Sequence, residues 1–463
     1  MDYDVLIIGG GIVGCAIAYE LSKYSLNIAL IEKEYDIADD VAIINSSIVY
    51  DGTECEDTLM SKLELMGNNL MPEITSKFNI PYRRCNNIII AEDEISSKKI
   101  LKMYNNAITA GVKNIKILNN EEVRKLEPDV KLKVDSALYT SNTAIICPYD
   151  LAIAYGEVAF DNGVNFKLEE EVLDIKKINK GFKVITNKNK FNCHMVINTT
   201  PKEDYSIDVT EKLHKDRSNL DYFMLEDDAS VNISNIIITI NESREKVYLR
   251  PIVQGGTVVA LNSEANLDYR SGLNKITEML GSVTEEQITT YMKANFYNDS
   301  IIIDDSLIHQ GYIKVVGKHY GQVTMTPAIA KIVCETITSN TRSVLKKDFI
   351  DKRREFYRFK DLNNDEKHRI IKENGSYGKI ICSCNYVTEG EIIDSIRRPL
   401  GARTIEGIAR RTGAMTGYCL GAECMTKIAR ILSRETDKKI NEIVKDSKNS
   451  KIVVSRIKEF DKM

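Results

Sequence analysis

The stretch Tyr3-Asp-Val-Leu-Ile-Ile-Gly-Gly-Gly-Ile-Val-Gly14 decides the fold of the first part of this chain. Its first half is a continuous apolar run, which is typical of a buried parallel strand. The run leads directly into the pattern G-x-G-x-x-G, formed by Gly9, Gly11 and Gly14, and then into an apolar helical segment. A second apolar run ends at Glu32. The sequence therefore predicts a β-α-β unit of roughly 30 residues.

Each glycine of this pattern has its own role in holding a dinucleotide. Gly9 permits the tight turn, Gly11 lets the backbone approach a pyrophosphate, and Gly14 permits close packing of helix on strand. The helix N-terminus offers free N–H groups and the positive end of its dipole to the phosphates. Glu32, at the end of the second strand, is placed to accept hydrogen bonds from a ribose. The pattern predicts a dinucleotide site but does not distinguish FAD from NAD.

The composition of the 463 residues excludes several classes of protein. Hydrophobic residues make up 43% and charged residues 28%, as in ordinary globular proteins, so a disordered chain is not expected. The formal net charge of −4 gives no basic surface for nucleic acid. No apolar run is long enough for a transmembrane helix, and no charged leader precedes the first apolar run. We expect a soluble cytoplasmic protein that is at most peripheral to a membrane.

The ten cysteines fall into two groups. A disulfide scaffold is not expected in a long cytoplasmic chain. Six cysteines are scattered and are expected to be small buried hydrophobes: Cys15, Cys55, Cys85, Cys147, Cys193 and Cys334. The other four are clustered late in the chain: Cys382, Cys384, Cys419 and Cys424.

The four clustered cysteines have the spacing of a metal centre. Four thiolates suit either structural zinc or a 2Fe–2S cluster. Thr388 and Glu391 form a capping-box pattern that begins a helix just after the first cysteine pair, and Cys424 precedes a second helical run. Helix N-termini stabilise thiolates, and nearby arginines add positive potential: Arg397, Arg398, Arg410 and Arg411. Zinc remains the alternative to 2Fe–2S.

Four segments carry a resemblance to the glycine/D-amino-acid-oxidase-like family of FAD proteins: 4–33, 142–150, 195–198 and 317–330. Within it, the order of segments is similar to that of the large subunit of anaerobic-type glycerol-3-phosphate dehydrogenases. The resemblance implies that the dinucleotide is FAD. Separately, the cysteine spacing and the segments 387–394 and 398–403 resemble the bacterioferritin-associated-ferredoxin-like domain, which implies a 2Fe–2S cluster.

The resemblance also implies which residues hold the cofactor. Val172 would lie near the adenine, and residues 321–324 would approach the flavin ring just before a helix that begins at Thr326 and Pro327. Amides at a helix start can stabilise negative charge on the reduced flavin. The predicted cofactor-binding residues are Gly9, Gly11, Gly14, Glu32, Lys33, Ser46, Val172, Gly321, Gln322, Val323 and Thr324.

The sequence departs from the family at its expected active site. Tyr50 stands where the family has a histidine, and a tyrosine with an ordinary pKa of about 10 is a poor base at neutral pH. The loop around Asn45-Ser-Ser47 and the Thr199-Thr-Pro201 segment also differ, and the family's arginine is missing from 293–297. Arg250 is the remaining candidate to bind an anion. Tyr50 and Arg250 are the predicted catalytic residues.

We predict an α/β fold, with a Rossmann-like FAD-binding domain, an inserted antiparallel-sheet substrate domain, and a small, mostly helical iron–sulfur domain. The FAD-dependent oxidoreductase region spans 1–345, with FAD-binding parts at about 1–75, 140–215 and 300–345. The substrate-domain parts are about 76–139 and 216–299. A linker follows at 346–379, then the 2Fe–2S domain at 380–433 and a charged tail at 434–463.

These features predict an FAD-dependent dehydrogenase that oxidises a small anionic hydroxy compound, with glycerol 3-phosphate as the leading substrate. A flavin accepts two electrons and a 2Fe–2S cluster carries one, so their pairing indicates export of electrons to a partner. That partner is a second flavoprotein subunit or another electron acceptor. The alternatives are oxidation of an amino acid, an imino acid or a 2-hydroxy acid, and a redox subunit whose substrate site has degenerated.

Overall fold

The computed structural model describes residues 1–39, 47–55, 57–200, 205–208, 217–226, 233–242, 246–253, 255–262, 268–281, 283–417 and 419–453. Within these ranges, none of the helices has both the length and the apolar character needed to cross a lipid bilayer.

The strands, in chain order, are β1 (Tyr3–Ile8), β2 (Ile28–Ile31), β3 (Ile48–Val49), β4 (Tyr82–Arg84), β5 (Asn87–Ala91), β6 (Ile115–Leu118), β7 (Ser136–Thr140), β8 (Ala144–Ile146), β9 (Asn165–Lys167), β10 (Val172–Ile178), β11 (Gly181–Thr186), β12 (Lys190–Asn198), β13 (Arg217–Leu225), β14 (Ile236–Ile240), β15 (Lys246–Pro251), β16 (Thr257–Asn262), β17 (Ile288–Tyr297), β18 (Ile302–Asp304), β19 (Tyr312–Val316), β20 (Ile380–Cys382) and β21 (Val387–Thr388). The α-helices are α1 (Ile12–Ser22), α2 (Thr58–Lys77), α3 (Glu94–Ala110), α4 (Asn120–Leu126), α5 (Pro148–Asp161), α6 (Tyr269–Leu280), α7 (Gln322–Thr341), α8 (Asn364–Glu373), α9 (Glu389–Arg397), α10 (Ile405–Thr412) and α11 (Met425–Thr436).

The first large sheet is built around β1 and has a parallel centre. Parallel pairing gives the order β9-β2-β1-β12-β19, while β10, β11 and β18 add antiparallel strands. β1 is buried because α1, α5 and α7 pack in the same hydrophobic core as its inward-facing residues. The carboxyl ends of β1 and β2 meet at one edge, which is where a dinucleotide binds in such sheets. The predicted strands of the β-α-β unit, β1 and β2, are confirmed.

The second large sheet has the order β17-β13-β16-β15-β14-β5-β7-β6. Most of its pairs are antiparallel, as predicted, but β14 and β5 are parallel, with Ile236 opposite Asn87. These two strands belong to separate segments of the chain, so no hairpin forces them to run in opposite directions. One face of the sheet packs against α6. The other face packs against Ile48 of β3 and against Tyr50, which follows that strand.

Residues 345–361 lie along α5. Arg353 Nε donates to Glu157 Oε2 at 2.7 Å, and both side chains are buried. Arg354 binds Asp161 through two hydrogen bonds of 2.7 and 2.8 Å. The segment that the sequence predicts as a linker is therefore packed against the FAD-binding part of the fold in its first half.

Residues 380–453, called the C-terminal unit below, have a hydrophobic core of their own, built from β20, β21 and the helices α9, α10 and α11. Thr388 caps α9, and the predicted capping box with Glu391 is present. The unit extends past the predicted boundary at 433, because Ile443 is buried in its core and the Ile405 amide donates to the Val444 carbonyl. The domain boundaries as a set remain a prediction.

Candidate functional site

The glycine turn between β1 and α1 has the geometry that its sequence predicts. Gly9 has a φ of +104°, in the region that favours glycine. A Cβ on Gly14 would lie 2.0 Å from the Gly9 carbonyl oxygen, so only glycine permits this contact. Gly11 is the N-cap of α1, and its position supplies no side-chain cap. The N-terminus of α1 thus presents the positive end of its helix dipole at this edge of the sheet, which fits the predicted pyrophosphate.

Glu32 holds the turn from the end of β2. Its Oε2 accepts a hydrogen bond from the Gly10 amide at 2.6 Å, and its Oε1 accepts one from the Glu34 amide at 2.9 Å. A carboxylate at the end of this strand is also the group that accepts hydrogen bonds from a ribose in dinucleotide-binding folds. The ribose role of Glu32 remains a prediction.

A cavity of about 300 Å³ opens at the carboxyl ends of β1 and β2 and is called the dinucleotide cavity below. It brings together five of the predicted cofactor residues: Gly9, Gly11, Glu32, Lys33 and Val172. Residues that the sequence did not indicate also line it, including Asp39, Glu170, Thr199 and Lys318. Thr199 donates to the Ile8 carbonyl at 2.8 Å, so it also fixes the end of β1.

The predicted flavin-side segment forms the start of α7, which corrects the predicted helix start. α7 begins at Gln322 with Gly321 as its N-cap, so Pro327 lies inside the helix rather than in its first turn. The turn starts early because Nδ1 of His319 accepts the Gly321 amide at 3.0 Å. Proline at position 327 removes only one bond, that to the Val323 carbonyl. Ser46 lies outside the described residues.

Thr324 connects α7 to β3 and to Tyr50, which directly follows that strand. Its hydroxyl accepts a hydrogen bond from the Tyr50 amide at 3.0 Å and donates to the Ile48 carbonyl at 3.3 Å. A Cβ on Gly67 of α2 would lie 1.8 Å from the Thr324 carbonyl oxygen. The start of α7 is thus tightly fitted between β3 and α2, with Tyr50 at its side.

The structure brings the two predicted catalytic residues close to each other, among buried and partly buried aromatic side chains called the tyrosine cluster below. Arg250 is 4% exposed, and burial lowers the pKa of its guanidinium to about 10, while Tyr50 and Tyr222 shift it upward. Burial raises the pKa of Tyr50 well above 10, and the Arg250 charge partly opposes this rise. The tyrosine cluster consists of Tyr50, Tyr222, Tyr248, Phe296 and Tyr320.

The sheet register explains why these side chains converge. Tyr222 of β13 and Tyr248 of β15 both lie opposite Ala260 of the intervening strand β16. Arg250 is two residues after Tyr248, so it lies on the same face of the sheet. The segment 293–297, which lacks the family's arginine, instead supplies Phe296, whose ring stacks on Tyr320 at 5.4 Å between centroids.

A buried carboxyl group and a buried imidazole lie beside the tyrosine cluster, and the sequence analysis missed both. Glu64 Oε1 is 3.9 Å from His319 Nδ1, and both side chains are almost completely buried. Burial raises the pKa of Glu64 well above its usual value and lowers the pKa of His319 to about 4. Burial therefore disfavours the charged form of both groups, and His319 is neutral at pH 7. The signal for Glu64 was available, since it shares the buried face of α2 with Met60, Gly67 and Met71.

The four clustered cysteines converge as two pairs. Sγ of Cys384 lies 3.4 Å from Sγ of Cys419, and Cys424 has the Cys382 thiol as its hydrogen-bond neighbour. Burial, then the nearby Cys382 and Cys419, raise the pKa of Cys424 to about 12, while the Glu423 amide and then the Cys384 thiol lower the pKa of Cys419.

Two thiol pairs fit a cluster of two irons better than a single ion. Structural zinc needs four ligands around one atom, whereas the four thiolates of a 2Fe–2S cluster are shared between two irons. The arrangement favours the iron–sulfur reading over zinc.

The loops that carry the cysteines contain an unusual backbone. Tyr386, Met415 and Leu420 have positive φ values of 52°, 68° and 47°, which bulky residues rarely adopt. A Cβ on Gly417 would lie 2.4 Å from Cβ of Cys384, so glycine is needed for the loop of Gly417 to approach Cys384. Backbone strain of this kind is concentrated at ligand-binding sites.

Comparison with known families assigns both parts of the chain. Residues 4–336 match the family described as FAD dependent oxidoreductase, and residues 380–434 match the BFD-like 2Fe-2S binding domain. The first match covers the glycine turn, both large sheets and the tyrosine cluster. The second covers all four clustered cysteines.

Relatives and solved structures agree with these matches. Glycerol 3-phosphate dehydrogenase of Caloramator mitchellensis is 32% identical over 478 residues, which cover 98% of this chain and 99% of that protein. Glycerol 3-phosphate oxidase of Mycoplasma pneumoniae is 29% identical over 191 residues, which cover 40% of this chain and 50% of that protein.

Two solved structures share the fold of the larger part. The dithionite-reduced L-alpha-glycerophosphate oxidase of Mycoplasma pneumoniae with FAD bound has a TM-score of 0.66 at 21% identity, covering 77% of this chain and 99% of that one. Glycine oxidase of Geobacillus kaustophilus has a TM-score of 0.62 at 16% identity, with the same two coverages. The chain therefore belongs to the family of FAD-dependent oxidoreductases, and it carries a BFD-like 2Fe–2S binding domain in residues 380–434.

Proposed function

We propose that this protein oxidises glycerol 3-phosphate to dihydroxyacetone phosphate and passes the electrons through its 2Fe–2S cluster to a partner. The observation that carries the proposal is Arg250, a cation buried in the tyrosine cluster of a chain related over almost its full length to a glycerol 3-phosphate dehydrogenase. Bound FAD supplies the hydride acceptor, and the cluster supplies an outlet for single electrons.

Arg250 is the proposed binding group for the substrate anion. A guanidinium keeps its positive charge at a pKa of about 10, so it is available to a phosphate at neutral pH. The fixed donors of arginine match the oxygens of a phosphate, and removal from water strengthens the attraction.

Tyr50 is proposed to orient the substrate hydroxyl rather than to take its proton. A phenol whose pKa is raised far above 10 stays protonated at pH 7, so its O–H remains a hydrogen-bond donor. Its amide is held by Thr324 and its carbonyl accepts from Asn68 at 2.8 Å, so the backbone at Tyr50 is fixed. A fixed donor restricts the substrate to one orientation.

The proposed cofactor residues divide between the two parts of the chain. The glycine turn and Glu32 would hold the pyrophosphate and ribose of FAD, with residues 321–324 on the flavin side. The four clustered cysteines would ligate the cluster.

Cys384 and Cys419 are partly exposed, so a partner can approach this side of the cluster. A second flavoprotein subunit is the proposed acceptor, and the cytoplasmic location remains a prediction.

Anaerobic reduction of the flavin tests the proposal. Glycerol 3-phosphate should bleach the flavin absorbance, while 2-hydroxy acids and amino acids should not. Arg250→Met keeps side-chain length but removes the charge, so it should raise the glycerol 3-phosphate concentration for half-maximal bleaching by about 100-fold, equivalent to roughly 3 kcal/mol. Arg124→Met on α4, whose arginine binds only Asn120 through its side chain in the described structure, is the matched control.

Each outcome of that titration decides between the candidate functions. Bleaching by a 2-hydroxy acid or an amino acid, and not by glycerol 3-phosphate, would replace the proposed substrate with that class. No bleaching by any compound, in protein that holds FAD and the cluster, would indicate a redox subunit without its own substrate. Equal responses of Arg250→Met and the control would remove Arg250 from the substrate site.

A further inference from the structure

A buried ion pair joins the C-terminal unit to the loop that follows β2. Nη1 of Arg411 lies 2.6 Å from Oδ2 of Asp36, and Nη2 lies 2.7 Å from Oδ1. Both side chains are at most 4% exposed. A Cβ on Gly407 would lie 2.5 Å from Asp36 Oδ2, so glycine at this position of α10 allows the carboxylate to approach the helix. This is a fitted two-point contact between the two parts of the chain.

The adjacent arginine of α10 makes a second contact with the same loop. Nη2 of Arg410 lies 2.6 Å from Oδ1 of Asp39, and Asp446 of the C-terminal unit binds the same nitrogen. The Arg410 side chain is 9% exposed. Asp39 lines the dinucleotide cavity, so Arg410 reaches the wall of that cavity from outside.

The loop between the two aspartates is connected to the glycine turn. The Ala38 amide donates to the Gly10 carbonyl at 2.9 Å, and the Gly10 amide donates to Glu32. Ala38 has a φ of +63°, a conformation that a non-glycine residue keeps only when its surroundings hold it. The contacts therefore run from Arg410 and Arg411 through residues 36–39 to the turn beneath the cavity.

We infer that the C-terminal unit forms the outer wall of the FAD site, and that Arg410 and Arg411 position residues 36–39 for tight FAD binding. Removal of Arg411 leaves the buried Asp36 carboxylate without its cation, and a buried charge without its partner strongly destabilises its surroundings. Removal of Arg410 takes away the cation that holds the more exposed Asp39 at the cavity wall. The loop can respond by moving toward solvent, and the Ala38 contact with the glycine turn moves with it. Coupling between two sites is reciprocal, so FAD must stabilise the docked C-terminal unit by the same factor.

FAD affinity of the whole chain, measured by equilibrium dialysis, tests this inference. Arg410→Gln and Arg411→Gln should each raise the dissociation constant for FAD by about 10-fold, within the usual range of coupling between sites. Iron content and visible absorbance should show a full cluster in both variants. Arg397→Gln is the control, because Arg397 pairs with Glu435 inside the C-terminal unit and is largely exposed.

Hydrogen exchange of the unmutated protein gives a second measurement that does not depend on the variants folding. FAD should slow exchange of the amides of 405–412, which lie in the C-terminal unit. The Arg410 variant should lose this protection while its cluster remains. Unchanged FAD affinity in both variants, or no effect of FAD on exchange in 405–412, would overturn the inference. Equal weakening in the Arg397 control would also overturn it, since that pair does not reach the cavity.

Discussion

The Sγ atoms of Cys384 and Cys419 lie 3.4 Å apart, although 35 positions separate the two residues in the chain. Cys384 follows β20, and Cys419 lies in the loop between α10 and α11. Cys382 and Cys424 are part of the hydrophobic core of the C-terminal unit, which packs these two loops against each other. Packing of this core therefore contributes to placing the four clustered thiols near one another.

Cys384→Ser or Cys419→Ser should remove the 2Fe–2S cluster and leave FAD bound. These two thiols are partly exposed, so the core of the C-terminal unit should persist around the change. Flavin reduction by substrate should survive, while transfer to a one-electron acceptor should be lost. Iron, acid-labile sulfide and the paramagnetic signal after reduction measure the first effect.

Cys55→Ser serves as the control for the cluster variants, because Cys55 is also partly exposed but lies far from residues 380–434 in sequence. It should keep about two irons per chain, the content of one 2Fe–2S cluster. One zinc per chain, with no sulfide and no paramagnetic signal in the unmutated protein, would contradict the cluster.

Gly14→Ala should weaken FAD binding by about 100-fold or more, equivalent to about 3 kcal/mol. The new methyl group would lie 2.0 Å from the Gly9 carbonyl oxygen, and a backbone oxygen cannot move without opening the turn. Flavin content after dialysis measures the loss. Gly375→Ala is the matched control, because a Cβ there meets no atom within 4 Å. Full FAD retention by Gly14→Ala would refute our placement of the pyrophosphate.

The sequence predicted those parts of the fold that depend on neighbouring residues. The glycine turn is one example, since the strand, turn and helix are all encoded within residues 3–14. The capping box of Thr388 and Glu391 is another, because its two hydrogen bonds join residues only three positions apart. The predicted start of α7, at Thr326 and Pro327, was wrong. His319 lies outside the helix and accepts a hydrogen bond from the Gly321 amide, and this contact begins the helix before the proline.

Contacts between distant residues could not be predicted in the same way. Asp36 and Arg411 are separated by 375 positions, and the sequence related Arg411 only to the clustered cysteines. Glu64 and His319 meet only because α2 packs against the start of α7. The tyrosine cluster depends on the register of three strands. Such pairs follow from tertiary packing, which no local pattern encodes.

Glu32→Ala should weaken FAD binding by about 1–3 kcal/mol, the scale for removing a charged hydrogen-bond partner. The change removes the acceptor for the Gly10 and Glu34 amides as well as the proposed ribose contact, so the turn loosens. Isothermal titration with FAD measures the difference. Glu171→Ala tests for a general charge effect, since Glu171 also lines the cavity. An unchanged dissociation constant in Glu32→Ala would count against both roles.

His319→Asn should make the free energy of unfolding less sensitive to mild acid. Burial lowers the pKa of His319 from about 6.5 to about 4, so the folded protein keeps this imidazole neutral where the unfolded chain protonates it. The unfolded state then binds more protons, and its relative free energy falls as the pH drops from about 6.5 toward 4. Between pH 7 and pH 5 this group should lower the free energy of unfolding by about 2 kcal/mol.

Asparagine is the appropriate replacement because its side-chain oxygen can accept the Gly321 amide and cannot be protonated in this range. Urea unfolding at pH 7 and pH 5 gives the change for each protein, and comparing the changes cancels the packing lost with the imidazole ring. The exposed His368 on α8 provides the matched control, and His368→Asn should keep the full acid sensitivity of the unmutated protein. If His319→Asn loses as much stability as the unmutated protein between the two pH values, then His319 is not held neutral by burial, and the neutral state assigned to this imidazole beside the tyrosine cluster is wrong.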